Sequence, residues 1–229
     1  RGGAASLNLS NDFNGSAGYK IWLDGWVQPI EFNHSFSGAI PQDVSASFYF
    51  MPEELYAFDG EGDGEGNWLS TENSSGDDWQ RVTLALDYSQ QSYSLWLNGF
   101  RVFDGLGFAY TQPYFNRFAL NQGDDEASYL DSLAIAFTKP LGLDSDGDGL
   151  FDEVEDLNGN GILDTGETDL FDADTDGDGM TDSFELQYAL NPLDAGDAAS
   201  DADGDLLSNL DEYQLGLNPN STDTDGDGV

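Results

Sequence analysis

Between residues 19 and 137 apolar side chains recur at every second position in short runs, whereas beyond residue 140 they thin out and lose that period. Period-two alternation sends neighbouring side chains to opposite faces of an extended chain, so the first stretch reads as β-strands with one buried face. Val82, Leu84 and Leu86 share a face, as do Tyr93, Leu95 and Leu97 in the next run. Asn98-Gly99 follows that run and precedes the strand at 100–103. Asn-Gly suits the positive φ angles of a two-residue hairpin. Residues 19–23 and 26–32 are predicted as two strands joined by a hairpin at Asp24-Gly25, followed by strands at 45–50, 55–58, 115–120 and 129–137. The last is expected to place Asp131, Leu133, Ile135 and Phe137 on one side. Residues 1–18 are expected to be a flexible or lightly paired start, and the glycine-rich 59–66 a mobile loop that no strand could use.

The thinning after residue 140 coincides with a second pattern, in which oxygen-bearing side chains recur at positions 1, 3, 5, 9 and 12 of a twelve-residue window. That is the spacing of a calcium loop, in which position 6 turns sharply and position 7 lends its carbonyl. The first copy uses Asp144, Asp146, Asp148, Leu150, Asp152 and Glu155, with Gly149 at position 6. Asp156, Asn158, Asn160, Ile162, Asp164 and Glu167 form the second, with two Asn carbonyls in place of carboxylates. Asp174, Asp176, Asp178, Met180, Asp182 and Glu185 form the third. In the fourth, Asp201, Asp203, Asp205, Leu207, Asn209 and Glu212, Leu206 stands where the others have glycine, which makes that turn less secure. A fifth opens with Asp223, Asp225, Asp227 and Val229 and is expected to be truncated. A solvated acidic tail, the ordinary reading of a charge run, needs no glycine at position 6 and no Glu at position 12. Four to five Ca2+ ions are therefore the expected cofactors.

Charge sharpens the division. The chain of 229 residues carries 45 acidic and 6 basic side chains, a net charge of -39, and all six bases precede residue 140, whereas 26 of the acids follow it. Such a field excludes nucleic acid as a partner, and an ion-free acidic half would repel itself. With no cysteine to form disulfides, calcium is the available cross-link. The affinity expected of extracellular calcium modules, about 10⁻⁴ to 10⁻³ M, points to a secreted or cell-surface protein. No apolar run approaches the roughly 20 residues of a membrane span. Arg1 is expected to be a processed or excised beginning.

Residues 79–88 (WQRVTLALDY), 93–99 (YSLWLNG) and 129–135 (YLDSLAI) together resemble the laminin-G and concanavalin-like jelly-roll family of bacterial secreted proteins. The resemblance covers about 19–137 and implies a two-sheet sandwich that binds sugar or protein. The span is short for that fold, so one sheet is expected to be trimmed or completed elsewhere. Hydrolytic relatives carry Glu-x-Asp-x-Glu on one strand, a pattern not found here. Residues 143–229 resemble bacterial thrombospondin type 3 repeats. The first loop ends at Glu155 and the second begins at Asp156, leaving no room for an exiting helix and disfavouring paired EF-hands. Helices are predicted at 183–190 and 208–215, with Phe184 and Tyr188, and Leu210 and Tyr213, on one side of each. Leu-Asn-Pro closes both, at 190–192 and 217–219, giving a repeat of about 27 residues that stacks on its neighbour.

The expected organisation is a flexible start at 1–18, a laminin-G-like β-sandwich at 19–138, a linker at 139–142 and calcium repeats at 143–229. The fold class is mainly β: an antiparallel jelly-roll sandwich followed by an irregular array of calcium loops with short helices. No catalytic constellation emerges, since Cys is absent and His34 lacks triad context. Two non-enzymatic readings stay open. One is a calcium-stabilised structural or adhesive module of a surface protein, matrix or filament. The other is a carbohydrate-binding module on a calcium-stiffened stalk, with Trp22, Trp26, Trp68, Trp79 and Trp96 as candidates for stacking on sugar. Expected partners are calcium, a polysaccharide or neighbouring subunits, including a head-to-tail homo-oligomer through the open fifth loop. Asn8, Asn14, Asn33, Asn73 and Asn220 lie in glycosylation sequons, a weak signal in so Asn- and Ser-rich a chain.

Overall fold

A computed structural model describes residues 5–8, 20–28, 45–51, 54–72, 79–111, 117–120 and 129–222. The chain divides into two compact units, 1–140 and 141–229. His34, four of the sequons' immediate settings and the fifth loop from Asp223 to Val229 lie outside the described residues or side chains.

The first unit is antiparallel throughout its described ladders. Strands β1 (Ala5–Asn8) and β9 (Arg117–Leu120) pair with each other. A five-stranded sheet is built from β2 (Lys20–Gln28), β6 (Gln80–Asp87), β7 (Ser92–Leu97), β8 (Phe100–Gly107) and β10 (Tyr129–Ala136), in the order β10-β2-β6-β7-β8. A three-stranded sheet holds β3 (Phe48–Met51), β4 (Glu54–Gly60) and β5 (Gly66–Glu72) in sequence order. The alternating residues of both sheets meet in one core. Ile21, Leu23, Val27, Val82, Leu84, Leu86, Leu95 and Leu97 from the larger sheet pack with Phe50, Leu55 and Ala57 from the smaller. Tyr93 bridges the layers: its ring is in this core and its hydroxyl donates to the carbonyls of Phe58 at 2.7 Å and Ser47 at 3.1 Å. A buried hydroxyl without such partners would be costly, so this pairing fixes how the sheets face each other.

Three strand expectations need correction. Asp24-Gly25 is not a hairpin, because β2 runs straight through it in unbroken register from Lys20 opposite Asp87 to Val27 opposite Gln80. Asp24 is held in the strand by Arg81, whose Nε and Nη2 donate to its carboxylate at 2.9 and 3.1 Å, and by Thr83 Oγ1 at 2.6 Å. Asp59 and Gly60 end a strand and Gly66 begins one, so the glycine-rich segment is largely the β4–β5 connection. It is pinned by Gly62 N–H to Phe108 O at 2.9 Å and Gly64 N–H to Ala109 O at 2.7 Å. A Cβ on Gly60 would stand 2.5 Å from the Phe108 carbonyl oxygen, so glycine is required by close backbone approach rather than for motion. Finally, β10 does not keep one alternation: a bulge between Asp131, opposite Trp26, and Ala134, opposite Asp24, shifts it by one residue. Asn98-Gly99 does turn the chain between β7 and β8, at φ of 56° and 96°.

The second unit contains three short helices, α1 (Asp152–Glu155), α2 (Asp182–Tyr188) and α3 (Asn209–Leu215). Thr181 and Ser208 cap α2 and α3 with their side chains, and Ser208 forms a capping box with Asp211. Ala189 and Gly216 close them in the left-handed conformation. Phe184 lies 4.7 Å from Tyr188 and 4.7 Å from Tyr213, so the predicted apolar sides of the two helices meet ring to ring. The turn α1 was not anticipated; it occupies positions 9 to 12 of the first loop and so needs no room after Glu155.

Candidate metal centres

The four described loops share one local construction. At position 1, Asp144 accepts the N–H groups of Gly147 and Gly149 at 2.7 and 3.2 Å. Asp156, Asp174 and Asp201 each take the position-6 N–H, from Gly161 at 2.6 Å, Gly179 at 2.9 Å and Leu206 at 3.0 Å. The backbone thus coils around a carboxylate. Position 6 needs a positive φ to do so, and it has one at Gly149 (106°), Gly161 (70°), Gly179 (99°) and also at Leu206 (86°). Leucine therefore keeps the turn, in a conformation that costs a β-carbon-bearing residue about 1–2 kcal/mol.

Position 9 bonds within its own loop. Asp152 accepts Ser145 N–H and Ser145 Oγ–H, both at 2.8 Å, and Asp182 accepts Thr175 N–H at 2.9 Å and Oγ1–H at 2.6 Å. Asn209 accepts Ala202 N–H at 3.2 Å. These side chains clasp position 2 and close the loop. At position 7, Leu150, Ile162, Met180 and Leu207 donate N–H to the position-5 side chain at 2.7 to 2.9 Å.

Positions 3 and 12 carry the test of whether these loops fit a cation. Asp146, Asp176 and Asp203 each spend Oδ1 on a backbone N–H and leave Oδ2 buried without a partner. Glu155 Oε2 and both carboxylate oxygens of Glu185 and of Glu212 are likewise buried and unpartnered. Buried polar atoms are nearly always satisfied, and a buried charge without a counter-charge is among the most costly arrangements in a protein. Among the described residues, eight of the ten buried, unpartnered side-chain atoms fall at these two ligand positions in loops 1, 3 and 4, the other two being Asp178 Oδ2 and Asp197 Oδ1. One oxygen from each of Asp144, Asp146 and Asp148 lies within 4.8 Å of the others; the same holds for Asp174, Asp176 and Asp178, and for Asp201, Asp203 and Asp205. Oxygens on opposite sides of a calcium ion stand about 4.6–5.2 Å apart. Carboxylates grouped at that spacing, beside buried oxygens with nothing to accept from, fit a hard divalent cation.

Electrostatics mark the same places. Burial pushes the Glu155 and Glu185 carboxyls up to about 8, and the surrounding Asp side chains push them the same way. Asp146 is raised to about 6 by burial and by Asp148 and Asp144. Burial also raises Asp144, Asp176, Asp178, Asp182 and Glu212. These are the shifts of acids crowded without positive charge.

Loop 2 stands apart. Asn158 Nδ2 donates to Asp164 at 2.9 Å and to Glu167 at 3.2 Å, and Asn160 Nδ2 donates to Asp164 at 2.8 Å. The two amides hold the Asp164 carboxyl below the usual range. Exchanging carboxylate for amide at positions 3 and 5 lets this loop satisfy itself, so its ligand positions are not equivalent to those of the other three.

Neither a protein-family model nor a curated protein matches the chain. Among solved structures, it is similar to the botulinum neurotoxin serotype D binding domain, at 10% identity and a TM-score of 0.40 over 60% of this chain and 38% of that one. It is also similar to the receptor binding domain of botulinum neurotoxin D, at 12% identity and a TM-score of 0.42 over 58% and 38%. For the receptor binding domain of the C/D mosaic serotype the values are 13%, 0.39, 58% and 36%. The chain thus spans well under half the length of these structures.

One residue of the clusters lay outside the expected ligands. Asp197 places an oxygen within 4.8 Å of oxygens of Asp178 and Glu185. It falls twelve residues after Glu185, beyond any twelve-residue window, and position 170 of the preceding repeat is a leucine. No spacing in the sequence points to it.

Proposed function

We propose that the chain is a non-enzymatic, calcium-stabilised extracellular module with a structural or adhesive role, its second unit a thrombospondin type 3-like array and its first a laminin-G-like sandwich. The observation that carries this reading is the recurrence of buried, unpartnered carboxylate oxygens at positions 3 and 12 of loops 1, 3 and 4. Two carboxylates 4 Å apart repel by about 4 kcal/mol at a surface-like dielectric, so a loop gathering several of them is held open unless a cation sits among them. Asp144, Asp146, Asp148 and Glu155 would hold one ion, Asp174, Asp176, Asp178 and Glu185 a second, and Asp201, Asp203, Asp205 and Glu212 a third, with the position-7 carbonyls alongside. Asp156, Asn158, Asn160, Asp164 and Glu167 form a weaker site. The ion supplies the counter-charge, and its binding stabilises the folded array. Among the described residues no helix is long and apolar enough to cross a membrane.

Calorimetric titration of the calcium-stripped full chain tests the proposal. It is expected to give about three sites in the range of extracellular modules, about 10⁻⁴ to 10⁻³ M or tighter. Absence of binding at 10⁻² M calcium, about tenfold above that range, would overturn it.

A carbohydrate-binding first unit is the second reading. It is favoured by Trp26 and Trp79, which are 44% and 43% exposed, whereas Trp22 and Trp96 are buried against each other with ring centroids 5.3 Å apart and serve packing. Trp68 lies edge-on to Tyr49 and Phe58. Glycan-array binding that is lost on W26A or W79A would support a stacking platform.

A further inference from the structure

Loop 3 receives a donor from the connector at 191–200, which leads from α2 to loop 4. The two carboxylate oxygens of Asp197 have separate roles. Oδ2 accepts the backbone N–H of Asn191 at 2.7 Å, which fixes the side chain, and Oδ1 is buried without a partner. One oxygen of Asp197 lies within 4.8 Å of an oxygen of Asp178 and an oxygen of Glu185. Glu185 has no solvent exposure and neither of its oxygens has a hydrogen-bond partner, so a fully buried carboxylate is aimed into the same space. Asp178 Oδ2 is unpartnered as well. Three acids converging with no basic side chain among them repel one another when ionised, and a cation held among them supplies the missing counter-charge.

We infer that Asp197 is a ligand of the divalent cation held by loop 3, and that it couples this ion to loop 4. The inference rests on the reading of these loops as calcium sites. The coupling follows from the main chain of the same residue. The Asp197 carbonyl accepts Asn209 Nδ2–H at 2.9 Å and Ser200 N–H at 2.9 Å. Asn209 is the position-9 clasp of loop 4, where it accepts Ala202 N–H, and its own N–H donates to Ser200 O at 2.8 Å. A residue drawn onto the loop 3 ion therefore sets both strands of the stem from which loop 4 springs. Occupancy of loop 3 orders loop 4 in advance, and ordering paid before binding appears as higher affinity at the second site.

The test uses the full chain, with D197N and, as a control for lost charge, D194N. Asp194 lies in the same connector, exposed, and accepts the Gly196 N–H at 3.1 Å. Calcium titration followed by calorimetry is paired with thermal melting of the second unit in chelator and in calcium. D197N is expected to weaken one site at least tenfold and a second several-fold, to leave the melt in chelator unchanged and to lower the melt in calcium; D194N is expected to match the unaltered protein within about twofold. Unaltered protein that takes up no calcium would remove the parent reading and this one with it. Full calcium uptake by the unaltered protein together with equally tight binding by D197N would overturn the ligand assignment alone. A D197N melt depressed equally in chelator and calcium would make Asp197 a brace and also overturn it. Loss confined to one site would overturn the coupling.

Discussion

Ser183 donates twice to Asp148, 35 residues earlier: its N–H to the carboxylate Oδ2 at 2.8 Å and its Oγ–H to the main-chain carbonyl at 2.6 Å. Asp148 is position 5 of loop 1 and Ser183 lies in the first turn of α2, so the third repeat seats itself on a ligand of the first. S183A removes one of the two bonds. The expected loss is about 1 kcal/mol of stability in the calcium-loaded second unit, read as a lower melting temperature, with the first unit's transition unmoved.

Removing calcium should destabilise residues 143–222 so that they open far more readily, while the sandwich persists. The first unit has its own core, whereas the second leaves large apolar side chains such as Phe151, Ile162 and Phe171 more than half exposed. Limited proteolysis in chelator is expected to yield a stable N-terminal fragment ending near Pro140. An equally resistant C-terminal half would contradict the dependence on metal.

The calcium-free protein should grow more stable as pH falls. Glu155 and Glu185 titrate near 8 when folded but near 4.5 as ordinary glutamates, so between those values the folded state binds more protons than the unfolded. Stability then falls as pH rises from about 4.5 to about 8, and the benefit is complete below the lower value. With calcium present the sign reverses, because protons displace the ion. Chemical denaturation at pH 5 and pH 8, in chelator and in calcium, reads both slopes.

Leu206→Gly should stabilise the second unit. The side chain is 92% exposed at a φ of 86°, so it contributes almost no burial while holding a strained backbone. A gain of about 1 kcal/mol is expected, with tighter calcium binding at loop 4, measured by denaturation and titration.

In the sandwich, Asp24→Ala should cost about 2–3 kcal/mol independently of calcium, since it strips Arg81 and Thr83 of a charge-assisted partner in a partly buried setting. Equilibrium denaturation with and without chelator would show equal losses.

The alternating core of β6 and β7 and the Asn98-Gly99 turn could be read from the sequence because both are local: period two and a dipeptide that accepts positive φ. Asp24-Gly25 carries the same kind of turn signal, yet the ladder to β6 and the Arg81 pair outweigh it, and neither partner is near in sequence. Strand β5 was missed because glycine precedes it and Gly66-Asn-Trp-Leu-Ser alternates weakly. In the second unit the loop register was legible down to single residues, but not the roles within it. Position 9 became a clasp because a hydroxyl or amide N–H waits at position 2, and loop 2 became self-sufficient because its amides donate where aspartates cannot. Asp197 was beyond reach, since its place depends on how the connector folds back.

Asn220 reaches back 32 residues to donate its Nδ2–H to the carbonyl of Tyr188 at 2.7 Å, closing the end of α2 from beyond the end of α3. That span exceeds the 27-residue period, so consecutive repeats overlap like roof tiles. A deletion of one period would leave its neighbour with a bare helix end, and an insertion must supply both the carbonyl and the amide. Such an array changes length only in whole overlapping courses.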